Sequence, residues 1–169
     1  MSEDIRVPEG LTTEGLLAKR YMARFIDSIL LVSVFFMISF GLGMLLAPVR
    51  TVSQPLLIFC VALPIWIAYG AILESSGWQA TIGKKITGIR VYDANGDRLS
   101  APQAVGRNLV KEGPFLLFGL LPSGNLIALG WLVAHLIVLH NSPVYQAIHD
   151  RVARTWVAAP EATTQLHLT

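Results

Sequence analysis

A single cysteine, Cys60, stands in the whole chain, inside an apolar run. No disulfide can form within the chain, and Cys60 itself reads as a buried small hydrophobe. Charge is scarce too. Asp, Glu, Lys and Arg make up 14% of the 169 residues, where soluble domains carry about a quarter. Recognisable catalytic frames are also missing. GKK at 83–85 lacks the GxxxxGK[ST] pattern of a phosphate loop, so its lysines are expected against anionic lipid headgroups. His135 and His140 have no Cys, Asp or Glu at metal-ligand spacing. There is no Ser-His-Asp order, no pair of general-acid carboxylates and no Gly-rich cofactor loop. The expectation is therefore no enzyme, no cofactor and no metal. Basic residues in 84–111 are mixed with acids, which argues against nucleic acid as a partner.

What is abundant is apolar surface: 53% hydrophobic residues with a mean hydropathy of +0.56. Residues 28–49 run 22 positions without Asp, Glu, Lys or Arg. At 1.5 Å per residue that is about 33 Å, enough to cross a bilayer core. Residues 55–73 are uncharged as well, with Pro64 predicting a kink. Residues 113–148 are 36 uncharged positions, more than one span needs, broken by the turn-forming PSGN at 122–125. The pattern predicts an all-α membrane protein, a small polytopic helix bundle with four helices preferred over three, at about 21–47, 55–73, 102–121 and 125–140. Ser39, Gly43 and Ala47, four apart on the first, suit close helix approach.

The loop 74–101 is polar, and IRVYDANGDRLS within it predicts a short cytoplasmic β-hairpin turning at Asn95-Gly96. Ser100 with Pro102 predicts the start of the third helix. Residues 1–19 carry Glu3, Asp4, Glu9 and Glu14. That is unlike a cleaved signal, so the first apolar run is expected to remain as a span behind a cytoplasmic N-terminal segment. The tail 159–169 is expected to be loosely ordered.

Two topologies compete for 102–140: one kinked span, or two helices folded back at PSGN. The folded-back arrangement is preferred. It leaves 12 of 13 Lys and Arg residues on or near the cytoplasmic side, with Arg50 alone outside. Both termini then lie in the cytoplasm. Residues 113–121 reach only about 14 Å, so Lys111 and Glu112 must approach the membrane together.

The mouth of the first helix holds Arg20, Arg24 and Asp27. Arg20 and Asp27 are seven apart, about 20° short of two turns, and share a face. Arg24 lies three residues before Asp27, within reach of an i, i+3 pair. A lone carboxylate below the headgroups is costly. Asp27 is therefore paired, protonated or wet, and its role is an interface anchor, an ion-handling cluster or a structural one.

Four elements resemble the RDD family of bacterial multi-pass membrane proteins: Arg20-Ala23-Asp27 (RxxAxxxD), TIGKKITGIRVYDANGDRLS at 81–100, Arg107-Asn108, and HDRVART at 149–155. Their order and spacing agree over about 20–158. The resemblance implies that the name-giving arginine and two aspartates are Arg20, Asp27 and Asp150, supported by Arg24, Arg107 and His149. It also implies a helical domain in the inner membrane, and transport, with sodium/proton antiport for some members. One shared cluster requires Asp150 on the side of Arg20, as in the folded-back topology, and lets a strand at 155–158 meet one at 89–92. The function classes that follow are an ion-coupled transporter binding sodium or protons, or a non-transporting scaffold or assembly subunit. The expected partners are the lipid bilayer, a second copy or other membrane proteins.

Overall fold

The computed structural model describes residues 7–46, 54–119 and 124–161. Four long helices dominate: α1 Leu17–Leu46, α2 Gln54–Ser75, α4 Ala101–Gly119 and α5 Gly124–His140. Between and after them lie β1 Leu11–Thr12, the short helix α3 Ile82–Thr87, β2 Arg90–Tyr92, the short helix α6 Ile148–Val152 and β3 Trp156–Pro160. The first helix begins at Leu17, one turn before the expected Tyr21. The expected end of that helix at 47–50, the connection 51–53, the first half of PSGN and the tail 162–169 lie outside the described residues, as does the Cys60 side chain.

The predicted hairpin is corrected. The turn forms, with Gly96 N–H donating to the Asp93 carbonyl at 3.3 Å and Gly96 at φ +88°. No return strand follows: Leu99 turns into the core at 2% exposure and Ser100 starts α4, its Oγ accepting the Gln103 N–H. β2 instead pairs antiparallel with β3, Val91 opposite Val157, and β3 pairs with β1, Leu11 opposite Pro160. The sheet order is β1-β3-β2. Alternation along β3 buries both faces. Val157 joins Ile89, Val91 and Leu99 beneath the helices. Trp156 and Ala158 pack with Tyr92 under Val7, Leu11 and Val144.

The compact core therefore sits at the charged ends of the helices, in a polar cap. Further along, the helices are bare. Only 6% of the most apolar window of α1 is buried, and Phe36, Met37, Phe40 and Met44 are all exposed. A Cβ at Gly43, part of the small-residue face, would meet nothing from another element within 4 Å among the described residues. Apolar surface on this scale needs a non-aqueous surrounding. By length and composition α1 can cross a bilayer.

Candidate functional site

Three carboxylates are buried where the helices enter the cap, and each meets two cations. Glu74, at the end of α2, accepts from Lys84 Nζ at 2.5 Å and from Arg107 Nη1 at 2.6 Å. Asp150, on α6, accepts from Arg107 Nη2 at 2.6 Å and from Arg20. Glu112, on α4, takes a two-pronged contact from Arg24 at 2.6 and 3.2 Å, with Lys111 Nζ 3.1 Å away. Arg107 is 1% exposed and joins the first two groups. The result is an unbroken chain, Lys84–Glu74–Arg107–Asp150–Arg20, that ties α3, α2, α4, α6 and α1 together. A planar guanidinium suits this bridging because its fork serves two carboxylates at once.

Neutral donors complete the chain. Asn108 Nδ2 donates to Glu74 at 2.9 Å, while Asn108 lies so close to Gly70 that a Cβ there would overlap it. Arg107 Nε also donates to Thr155 Oγ1 at 3.2 Å. Asp150 sits three residues into α6 and accepts the Ala147 N–H at 3.1 Å, as an acidic residue in a first helical turn does. Asp150 and Thr155 of HDRVART thus hold Arg107 jointly. Burial alone would raise the Asp150 carboxyl, but His149, Arg20 and Arg107 beside it hold it well below the usual carboxylate range. Burial pushes the Lys84 ammonium down to about 7, against the opposing pull of Glu74.

Asp27 stands apart from this chain. Its Oδ1 accepts from the Tyr69 hydroxyl at 2.7 Å and the Gly83 N–H at 2.8 Å, and its Oδ2 from the Thr81 hydroxyl at 2.6 Å. No cation lies within ion-pair distance among the described residues. Asp27 thereby caps α3 from outside. Thr81 and Gly83 of TIGKK dock on Ala23 and Asp27, one turn apart on α1. Only glycine fits at 83, since a Cβ would collide with the Ala23 carbonyl.

The structure thus separates the expected cluster. Arg20 and Asp150 meet; Asp27 joins neither. The Arg24–Asp27 pair is corrected, because Arg24 reaches across to Glu112 while nearer hydroxyl and amide donors already fill Asp27. The lysines of GKK are corrected in part. Lys84 is buried on Glu74, and Lys85 lies 3.3 Å over the Trp78 ring. His149 is buried and pairs its Nδ1 with His135 Nε2 at 2.7 Å, the two rings stacked. Burial holds His149 well below its ordinary value, so it is neutral near pH 7.

Glu74 and Tyr69 carry no expected role in the sequence reading, and Glu112, Lys84 and His135 enter it only in other roles. For Glu74 a signal existed: it lies one turn after Gly70 on α2, the same face that receives Asn108.

A cavity of about 160 Å³ opens beside the chain, between the mouth of α1, α4 and the last turns of α5. No group of three or more metal-binding side chains occurs among the described residues. No curated protein and no solved structure matches the chain. The RDD family matches residues 15–154, a stretch that contains every member of the ion-pair chain and the docking pair on α1, and the protein belongs to that family of membrane proteins.

Proposed function

We propose that the chain is a non-enzymatic four-span protein of the bacterial inner membrane, whose charge cluster is architectural and fixes the spans to a cytoplasmic cap that assembles with other membrane proteins or a second copy. The topology rests on the sheet. β3 pairs with both β1 and β2, which supports one side of the membrane for all three strands. Between β1 and β2 run α1 and α2, and between β2 and β3 run α4 and α5. Each interval holds two long helices, which suits two crossings each. The basic content of loop 74–101 assigns that side to the cytoplasm.

The observation that carries the architectural reading is the double pairing of Glu74, Asp150 and Glu112. A sodium ion needs several oxygen ligands freed toward it, and a proton carrier needs a carboxylate that changes charge. Carboxylates each held by two cations resist both. They are suited to holding helices in register.

One observation favours ion-coupled transport as a second reading. Asp27 borders the cavity and is neutralised by no cation among the described residues. It would be the group that exchanges a proton or sodium ion. Reconstituted protein under an imposed pH gradient separates the two. The architectural reading predicts no sodium or proton flux above that of empty liposomes, and loss of accumulated protein in Arg20→Ala. Flux that disappears in a well-expressed Asp27→Asn variant would establish transport instead.

A further inference from the structure

The cavity beside the ion-pair chain is unlike the chain itself. The chain and the neighbouring Arg24–Glu112–Lys111 group hold five cations and three carboxylates, and the two signs do not face the same way. Arg20, Arg24, Lys84, Arg107 and Lys111 all line the cavity, whereas Glu74, Asp150 and Glu112 stand behind them and do not. Asp27 is the one carboxylate on its wall, and both its oxygens are taken by Tyr69, Thr81 and Gly83. The charged groups on the cavity wall are therefore mainly cations.

Donors remain for a ligand. Among the described residues Arg20 donates only through Nη2, to Asp150. Lys111 shares its single carboxylate with Arg24, which already holds both Glu112 oxygens. His135 adds no donor: its free ring atom is an acceptor, open to a hydroxyl of a headgroup and not to the phosphate itself. His149 Nε2 lies 3.3 Å from Asp150 Oδ1 and His149 Nδ1 faces His135 Nε2, so this order of partners makes His135 Nε2 the donor. His135 Nδ1 is then buried with no partner among the described residues.

The opposite wall is apolar. Leu132, Leu136 and Leu139 of α5 face the cations across the cavity. Tyr21 also lines the cavity, its hydroxyl 3.2 Å from His140 Nδ1. Charge on one wall and leucines on the other match a ligand that is anionic at one end and apolar at the other. An arginine fork and an ammonium suit the tetrahedral oxygens of phosphate. The depth suits it too. Arg20 and Arg24 are in the first turns of the long apolar helix, at headgroup level in the proposed topology.

We propose that this cavity binds a phosphate group carried on an apolar tail, the headgroup of an anionic membrane lipid, with Arg20 and Lys111 on the phosphate and the α5 leucines along the start of the tail. The shared chemistry is the phosphate anion, and the leucine wall selects the lipid over free phosphate.

The test uses the full chain, purified in detergent and stripped of lipid. Thermal unfolding and native mass spectrometry are read with phosphatidylglycerol, with uncharged diacylglycerol, and with inorganic phosphate at matched concentration. Phosphatidylglycerol is expected to stabilise the protein and to stay bound, while diacylglycerol does neither. Lys111→Gln leaves Glu112 held by Arg24 and should weaken retention by about tenfold or more, the worth of one charged hydrogen bond. Lys85→Gln, on the Trp78 ring, should change nothing. Should Lys111→Gln fail to fold, Leu136→Phe narrows the cavity from the other wall and should give the same loss. Equal stabilisation by inorganic phosphate would overturn the lipid as source. Equal behaviour of phosphatidylglycerol and diacylglycerol, or full retention in both cavity variants, would overturn the site.

Discussion

Arg107→Leu tests whether the ion-pair chain holds the fold. Arg107 is 1% exposed and gives hydrogen bonds of 2.6 Å to Glu74, 2.6 and 3.2 Å to Asp150 and 3.2 Å to Thr155. Leucine keeps much of the volume and removes every one of these donors. Breaking a buried ion pair by deleting one partner costs about 3–5 kcal/mol, because the stranded charge stays desolvated. Two carboxylates are stranded here, but neither is left bare. Glu74 retains Lys84 and Asn108, and Asp150 retains Arg20 and the Ala147 N–H. The low end, about 3 kcal/mol, is therefore expected.

Native domains are stable by only about 5–15 kcal/mol, so the variant should unfold well below the parent and accumulate poorly in membranes. Arg107→Lys keeps one charge but cannot reach both carboxylates with a fork, so it should fall between the two. The assay is thermal unfolding of the detergent-solubilised protein followed by tryptophan fluorescence, run as a double-mutant cycle with Asp150→Asn. Residues sharing a buried pair couple by about 0.5–3 kcal/mol. A coupling below about 0.5 kcal/mol, with Arg107→Leu no worse than substitution of the exposed Arg90, would refute the reasoning.

Three further outcomes follow from the same geometry. Gly83→Ala should destabilise by about 1–3 kcal/mol through overlap with the Ala23 carbonyl, whereas Gly106→Ala, with open space around it, should be neutral or stabilising by up to about 1 kcal/mol; paired melts decide. His149 is held neutral by burial, so the unfolded chain takes up the proton first as pH falls below about 6.5, and this stability is present above that pH and lost below it. The melting temperature should therefore fall between pH 7 and 5, and the fall should be smaller in a His149→Gln variant. In a Cys60→Ser background, a cysteine placed at Gln165 should react with a membrane-impermeant maleimide only after the cells are opened; labelling of intact cells would contradict the four-span topology.

Much of the helical frame was legible because the apolar runs and their breakers are local signals. The start of α4 at Ser100-Pro102 follows from capping, and the sheet partner of β2 follows only once HDRVART is placed beside Arg20. The hairpin misreading has a definite cause. Asn95-Gly96 does specify a turn, but a turn does not decide which edge β2 uses. Val157 offers a better apolar partner for Val91 than Arg98 does, and Leu99 is worth more in the core than in a return strand.

The site divides along the same line. Arg20 and Asp150 could be related because a shared motif order put them together, while Asp27 was assigned to them by name rather than by geometry. On a helix wheel Arg20, Arg24 and Asp27 fall within about 60° of one another, so spacing alone cannot say that the first turns to α6, the second to α4 and the third to α3. What decides is the supply of donors on each neighbour. The start of α3 offers an amide and a hydroxyl at the one place where Gly83 lets the backbones touch, and a carboxylate there needs no cation. Glu74, with the Asn108 side chain as its one neutral donor among the described residues, pairs with Lys84 and Arg107. The pairing pattern of the whole cap therefore follows from one close approach, Gly83 on Ala23, which frees both Arg20 and Arg24 for partners farther away.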